Sequence, residues 1–166
     1  MTDHHPPKLL LGWQEWCALP TLRIPAIKAK VDTGAKTAAL HASDIELFHR
    51  HSQSFVRFTI HPLPQIQTIQ QRCTAPVVDQ RLIMNSGGHK EMRYIIHTMI
   101  HLGTLSWDIE ISLTNRDPMV FRMLLGRDAL KGHSIVDPAR ILCQGKMKRS
   151  DIRKLYKNKH KENICP

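Results

Sequence analysis

The sequence lacks several features that would place it in other protein classes. Its four cysteines include no C-x-x-C pair, which excludes a zinc knuckle and a thioredoxin-type motif. The N-terminal region is polar except for the short run Leu9, Leu10 and Leu11, which is too short for a signal-peptide core or a membrane span. We therefore expect a cytoplasmic protein with reduced cysteines and no membrane contact.

Positive charge is abundant and unevenly distributed. The 166 residues include 24 Lys and Arg against 14 Asp and Glu, for a formal net charge of +10. Residues 146–166 contain eight basic and two acidic residues, so a net +6 lies in this segment. We accordingly divide the chain into one domain over residues 1–145 and a basic tail over residues 146–166. The tail has two interpretations: a solvated extension, which we favour, or a weak contact with ribosomal RNA or another polyanion.

Alternation of apolar and polar residues predicts a chain made mostly of β-strands. Apolar side chains occupy every second position over residues 105–113, which indicates a half-buried strand with one wet face, and a weaker alternation covers residues 94–102. Residues 62–76 are polar and bounded by proline, so we expect a loop there with one edge strand. This pattern favours an all-β barrel or sandwich.

Helix signals are few. Residues 127–131 follow Gly126 and predict one short helix, which would end at Gly132. A second helix is expected over residues 153–160, with Ser150 as its N-cap. Both segments lie outside the alternating, strand-like part of the sequence.

The segment Ile24–Val31 is strand-like and is followed directly by Asp32, Thr33 and Gly34. An apolar strand that ends in Asp-Thr-Gly is the signature of aspartic proteases. Two such carboxylates about 3 Å apart cannot both ionise, so they share one proton and together activate water. Alone, the tripeptide is a weak match, because these residues are common where strands meet turns.

Two further segments follow in the order found in retropepsins. A Gly-rich hairpin tip occupies the place of a flap, the loop that opens and closes over substrate. The candidate flap residues are Asn85, Ser86, Gly87 and Gly88. An apolar strand, a glycine and an Arg-Asp pair then follow, and we expect them to support the active-site loop. The candidate support residues are Leu125, Gly126, Arg127 and Asp128.

Taken together, these segments resemble the bacterial family named ATP-dependent zinc proteases, which is similar to retropepsins. The resemblance covers roughly residues 9–143 and is carried by residues 29–42, 113–116, 121–127 and 136–138. It implies an all-β, retropepsin-like closed β-barrel, the acid protease fold. One short helix would follow the Leu-Leu-Gly-Arg segment, and a further helix would lie at the C-terminus.

The resemblance also implies roles for individual residues and partners. Asp32 would be the catalytic carboxylate, and Ala38 stands where the family usually has serine, a departure that leaves catalysis intact. The residues that would build and support the loop of Asp32 are Thr33, Gly34, Ala35 and Thr37. Members of the family are sometimes encoded beside, or fused to, ATP-grasp ligases that glutamylate a ribosomal protein, so association with such a ligase or with the ribosome is expected.

Neither half of the family's name is supported by motifs in this chain. A G-x-x-x-x-G-K-S/T loop for ATP phosphates and an H-E-x-x-H zinc motif are both missing. The histidine pairs His49 with His51 and His97 with His101 lack a third ligand at a recognisable spacing, so we interpret them as solvated side chains. We expect no cofactor and no metal.

Asp32 is the one Asp that precedes Thr-Gly or Ser-Gly. Because the chain is too short for two pepsin-like lobes, a catalytic dyad requires a homodimer with a two-fold axis. The sequence therefore favours an aspartic endopeptidase that hydrolyses a peptide or protein substrate with Asp32 from two chains. The alternative is a non-catalytic module that binds a peptide or acidic tail and modulates an ATP-grasp glutamate ligase or a ribosomal protein.

Overall fold

The computed structural model describes residues 6–115 and 120–162, and this part of the chain is dominated by β-strands. The strands are β1 (Leu9–Leu11), β2 (Gln14–Leu19), β3 (Ile24–Val31), β4 (Ala38–His41), β5 (Ser43–Arg50), β6 (Gln53–Ile60), β7 (Gln71–Pro76), β8 (Asp79–Met84), β9 (Lys90–Leu102), β10 (Leu105–Thr114), β11 (Met123–Leu125) and β12 (Ser134–Val136). The helices are α1 (Arg127–Leu130) and α2 (Arg149–Glu162), and a 3-10 turn covers Pro20–Leu22. The predicted all-β class is confirmed. Within the described ranges, no helix has the length and apolar character needed to cross a membrane.

Six strands close into a ring. Their order is β10, β4, β11, β3, β2 and β9, and β9 also pairs with β10, while β8 is added at the outer edge of β9. The short β11 lies between β3, to which it is parallel, and β4, to which it is antiparallel. The ring therefore gives β3, the strand that leads to Asp32, a hydrogen-bonded neighbour on each side.

Two smaller sheets flank the ring. Strands β5, β6 and β7 form an antiparallel sheet in which β7 is an edge strand, as expected for residues 62–76. Strands β1 and β12 form a parallel pair that brings the segment before β2 beside the segment after α1. Branched aliphatic side chains and one phenylalanine fill the core; its fully buried members include Leu19, Ile24, Ile27, Leu40, Phe58, Ile96, Ile111 and Leu125.

Strand β10 departs from its expected pattern at its C-terminal end. The predicted alternation holds as far as Ile111, but Ser112 and Thr114 are buried as well. The expectation of one wet face along the whole strand is therefore wrong. Its hydroxyl groups are satisfied internally: Ser112 Oγ donates to the Ala38 carbonyl at 3.1 Å, and Thr114 Oγ1 donates to the Glu91 carboxylate at 3.2 Å.

Helix α2 packs against β3. It begins at Arg149, so Ser150 lies inside its first turn and the prediction of Ser150 as N-cap is wrong. The Lys148 carbonyl accepts the N–H groups of Asp151 at 3.0 Å and Ile152 at 3.1 Å, which starts the helix one residue before Ser150. Ile152 is buried in a small apolar cluster with Ala26 and Leu63. Packing against the ring thus stabilises this helix.

A buried carboxylate joins the loop after β12 to β2. Glu15 is 0% exposed. Its Oε1 accepts the N–H groups of Gly12 and Cys143, both at 2.8 Å, and its Oε2 accepts that of Gln144 at 3.2 Å. A buried carboxylate is stable only where donors replace its lost water, and three backbone N–H groups do so here.

We expect Glu15→Gln to lower the free energy of unfolding by about 2–3 kcal/mol, because the new amide NH2 faces donors and cannot accept from them. Urea denaturation followed by circular dichroism measures the change. Glu46→Gln is the matched control: this side chain is 62% exposed and pairs with Arg57 at 3.6 Å, so its loss should cost less than about 0.5 kcal/mol. Equal losses in the two variants would contradict the role given to Glu15.

Candidate active site

Asp32 lies at the point where β3 leaves the ring. Its N–H donates to the Leu125 carbonyl at 2.9 Å, and the N–H of the preceding Val31 donates to the Trp13 carbonyl at 2.9 Å. The side chain of Asp32 is half-buried, whereas Thr33 and Gly34 are exposed. The backbone that carries the carboxylate is therefore held by two neighbouring segments while the tip of its loop faces solvent.

The loop turns tightly around the carboxylate. Oδ1 of Asp32 accepts the N–H groups of Gly34 at 3.1 Å and Ala35 at 3.2 Å. A Cβ at Gly34 would lie 3.3 Å from the same Oδ1, so the absence of a side chain permits this close approach. Two backbone donors thus orient the side chain of Asp32.

Helix α1 contacts the other end of this loop. The N–H groups of Arg127 and Asp128 donate to the carbonyls of Ala35 at 2.7 Å and Lys36 at 3.0 Å, and Nη1 of Arg127 donates to the Thr33 carbonyl at 3.0 Å. At Gly126, a Cβ would lie 2.6 Å from the Thr37 carbonyl carbon, so only glycine allows β11 and the loop to approach this closely. The candidate support residues are therefore packed directly against the loop.

The Gly-rich segment is the tip of the hairpin formed by β8 and β9. The N–H of Asn85 donates to the His89 carbonyl at 2.9 Å, and Oδ1 of Asn85 accepts the N–H groups of Gly87 at 2.8 Å and His89 at 3.1 Å. Gly88 has a φ of 82°, in the left-handed region that favours glycine. The Asn85 side chain thus shapes the tip, and Gly88 completes its reversal.

The loop and the hairpin border one open cleft of about 930 Å³. Of the predicted site residues, those that line it are Asp32, Gly34, Ala35, Thr37, Asn85 and Ser86. The predicted residues outside its lining are Thr33, Gly87, Gly88, Leu125, Gly126, Arg127 and Asp128. Among the described residues, Asp32 is the one carboxylate on this cleft. Thr33 instead borders a neighbouring depression together with Arg127 and Asp128.

Three basic residues on this cleft were not identified from the sequence: Lys36, Arg81 and Arg93. Arg81 and Arg93 face each other across β8 and β9, a pairing that becomes visible only once the hairpin register is known. Arg81 donates to the carboxylates of Asp79 and Glu110, both at 2.7 Å, and these hydrogen bonds lower the pKa of each acid. One arginine of the pair is thus already held by two acids.

Arg93, unlike Arg81, is buried and bonds to one carboxylate. It is 5% exposed, and its Nε donates to the Glu91 carboxylate at 3.0 Å. Within the described part of the chain, its buried Nη2 has no hydrogen-bond partner. A buried guanidinium donor without an acceptor is costly, and Arg93 is also one of the residues that line the cleft.

The histidine pairs do not assemble a metal centre in the structure described. Across residues 6–115 and 120–162, no three His, Cys, Asp or Glu side chains are grouped so that they could hold a metal ion. His97 Nε2 lies 3.4 Å from Glu110 Oε1, and His101 Nδ1 lies 2.8 Å from Ser106 Oγ. Both histidines are exposed, as expected for solvated side chains.

Comparisons with known proteins identify relatives of this chain. Three relatives named probable alpha-L-glutamate ligase, from Shewanella pealeana, Desulfotalea psychrophila and Parasynechococcus marenigrum, are 44%, 46% and 43% identical to this chain over 149 residues. The match covers 90% of this chain but 32% of each relative, so the chain spans about a third of their length.

A solved structure and a family model complete the comparison. The crystal structure of a Legionella pneumophila protein of unknown function (DUF785) superimposes with a TM-score of 0.68 and 29% identity, covering 83% of this chain and 99% of that one. Residues 10–147 match the model of the RimB-like family, described as retropepsin-like aspartic endopeptidase RimB. The fold, the cleft and this match over most of the chain together show that the protein belongs to the RimB-like family.

Proposed function

We propose that the protein is an aspartic endopeptidase that hydrolyses peptide bonds with a dyad formed by Asp32 from two chains. The observation that carries this proposal is the placement of Asp32 and the hairpin tip at 85–86 on one cleft. The carboxylate is oriented by backbone donors. The hairpin tip borders the same cleft, where it would cover a bound peptide. Membership of a retropepsin-like family supports the same reaction class.

The requirement for two chains follows from the charge on the cleft. In the part of the chain that is described, one protomer supplies a single carboxylate there, whereas acid–base hydrolysis by this mechanism uses two. Thr33 and Gly34 are exposed beside Asp32, so a second copy of the loop has room to approach. A two-fold axis next to Gly34 would bring the two Asp32 side chains together.

In the dimer, the two Asp32 carboxylates would share one proton, because like charges at such short range cannot both ionise. The ionised carboxylate would accept a proton from water as the water oxygen attacks the peptide carbonyl. The protonated carboxyl would donate to the carbonyl oxygen, giving a tetrahedral intermediate. Proton transfer to the departing nitrogen would then break the C–N bond and release an amine and an acid.

The charge of the cleft suggests which peptides bind. Lys36 and Arg93 border the same cleft as Asp32, and among the described residues Nη2 of Arg93 has no hydrogen-bond partner. The relatives that this chain matches are named for glutamate ligation. We therefore propose glutamate-rich peptides as the preferred substrates, with their side-chain carboxylates bound by Lys36 and Arg93.

A second candidate function is a non-catalytic module that binds an acidic peptide or tail. Two observations favour it: the single cleft carboxylate per described protomer, and the length of the relatives named as ligases, of which this chain spans about a third. Such a module would modulate an ATP-grasp glutamate ligase or a ribosomal protein, and no second Asp32 would be needed. Substitution of Asp32 separates the two functions.

Asp32→Asn is expected to lower kcat/KM on a peptide library at least about a hundredfold, because the amide cannot accept the proton of water. Mass spectrometry of the cleaved library measures the loss. Asp44→Asn is the matched control: Asp44 is exposed with a φ of 51°, a conformation that asparagine tolerates, so its cleavage should match wild type. Undiminished cleavage by Asp32→Asn would disprove the mechanism. If wild type binds an acidic peptide without cleaving it, the binding module is favoured.

The dyad also predicts how mixed chains behave. When wild type and Asp32→Asn exchange freely at equal amounts, about a quarter of the dimers are wild-type homodimers, and activity should fall to about that fraction of wild type at the same total concentration. A monomeric enzyme would retain about half. The readout is cleavage of one fluorogenic peptide, with oligomeric state measured in parallel by light scattering.

The preference for acidic peptides is tested by Lys36→Gln and by Arg93→Lys, which keeps a charge beside Glu91 but removes Nη2. Each should lower kcat/KM for a glutamate-rich peptide about tenfold, because one charge-assisted contact is lost. For a peptide with glutamine in place of glutamate, kcat/KM should change less than about twofold. Lys30→Gln is the control, since Lys30 is exposed on β3 but does not border the cleft. Equal effects on both peptides would contradict the proposed preference.

A further inference from the structure

We propose that the solvent-facing side of α2 is a docking surface for the phosphate backbone of a nucleic acid. This surface is separate from the cleft of Asp32, and the proposal does not depend on peptidase activity. Three observations support it: basic residues form a row along α2, no described ion pair involves this row, and the apolar side of α2 is packed against β3.

Basic residues form a row along α2. Arg149, Arg153 and Lys157 are spaced four residues apart, so they lie on one side of the helix with a rise of about 6 Å between them. Lys154 adjoins this row, and all four side chains are exposed. The row thus presents positive charges at regular spacing, so several of them can contact successive charged groups of an extended polyanion.

Within residues 6–115 and 120–162, no ion pair neutralises the charge of this row. Among the described residues, none of the ion pairs involves Arg149, Arg153, Lys154 or Lys157. Asp151 is the single acidic side chain described in α2. It lies two residues from Arg149 and Arg153, on another side of the helix from them, and three residues from Lys154, on the same side as Lys154. The positive potential therefore remains available to a partner.

The apolar side of α2 is already used in the fold. Ile152 and Tyr156 are buried against Ala26 of β3, and Tyr156 Oη donates a hydrogen bond to the Ala26 carbonyl. Leu155, at 38% exposure, is the one apolar side chain of the described helix that reaches solvent. An amphipathic helix binds a membrane through its apolar face, and here that face contacts protein. The anchoring also fixes the helix backbone that carries the row, so binding does not have to order that backbone.

A further cation, Lys28 of β3, lies beside the first turn of α2. Arg149, Trp16 and Lys28 border a cavity of about 220 Å³ between α2 and the ring of strands. The ammonium of Lys28 lies 5.1 Å from the centre of the Trp16 ring. Positive charge thus continues from the helix onto β3.

A nucleic acid fits this surface better than an acidic protein does. A protein partner is recognised largely through shape and a buried interface core, whereas the row of Arg149, Arg153 and Lys157 includes no apolar side chain. Contacts to phosphates need only accessible Lys and Arg along a path, and they position a protein without reading sequence. The row therefore predicts binding that depends on salt and not on base sequence.

The test compares wild type with the double variant Arg153→Gln/Lys157→Gln. Fluorescence anisotropy is measured with a labelled DNA duplex and an RNA duplex of the same sequence between about 50 and 200 mM salt. Each duplex phosphate contact contributes about 0.9 to the slope of log K against log salt, so the loss of two contacts should make the slope shallower by about 1.8. The double variant Lys8→Gln/Arg72→Gln removes the same residue types at exposed positions outside α2 and should bind as wild type does.

Three results would overturn the proposal. The first is absence of salt-dependent binding by wild type to either duplex. The second is an equal loss in the Lys8/Arg72 control, which would assign binding to net charge alone. The third concerns two further probes, a polyglutamate peptide and vesicles containing phosphatidylserine: the proposal fails if the Arg153/Lys157 variant loses binding to one of these probes but binds both duplexes as wild type does. Circular dichroism checks that α2 stays folded in each variant, and Asp32→Asn should bind the duplexes as wild type does, so failure of the peptidase proposal would remain distinguishable.

Discussion

The position of the catalytic candidate depends on β11, the three-residue strand between β3 and β4. Its Leu125 carbonyl accepts the N–H of Asp32, and the Gly126 that follows lets the chain pass against the Thr37 backbone. The first N–H groups of α1 then bond to the loop carbonyls of Ala35 and Lys36. One short, buried segment therefore closes the ring of strands and fixes both ends of the loop around Asp32, so the site and the fold are stabilised by the same contacts.

Two positively charged surfaces on the protein differ in construction. In the cleft, Arg81 and Arg93 lie opposite each other on a hairpin. Hydrogen bonds from Arg81 to Glu110 and from Arg93 to Glu91 make this pairing of like charges tolerable. Along α2, Arg153 and Lys157 are exposed and unpaired within the described residues. The first arrangement suits oriented recognition of a single anionic group, because the donors are fixed. The second suits a long polyanion, because accessibility and spacing matter there more than orientation.

Features that depend on local sequence were predictable. The strand Ile24–Val31, the hairpin tip, the short helix after Gly126 and the edge strand within residues 62–76 all depend on alternation, turn residues or glycine over a few positions. Features that depend on distant partners were not. The burial of Ser112 results from the passage of β10 between β9 and β4. Arg93 reaches the cleft only through the register of the hairpin.

The sequence by itself determined the reaction class that we propose and its central residue, Asp32. Three segments occur along the chain in the order found in retropepsins: Asp-Thr-Gly after an apolar strand, a Gly-rich tip, and an apolar-Gly-Arg-Asp segment. The tertiary structure decided which charges surround Asp32 and which remain on the surface. It also shows that most of the basic tail is a helix, which packs on β3 and exposes its row of basic side chains to solvent. The reason is physical: strand pairing and burial join residues far apart in the chain, and local patterns contain no information about these pairings.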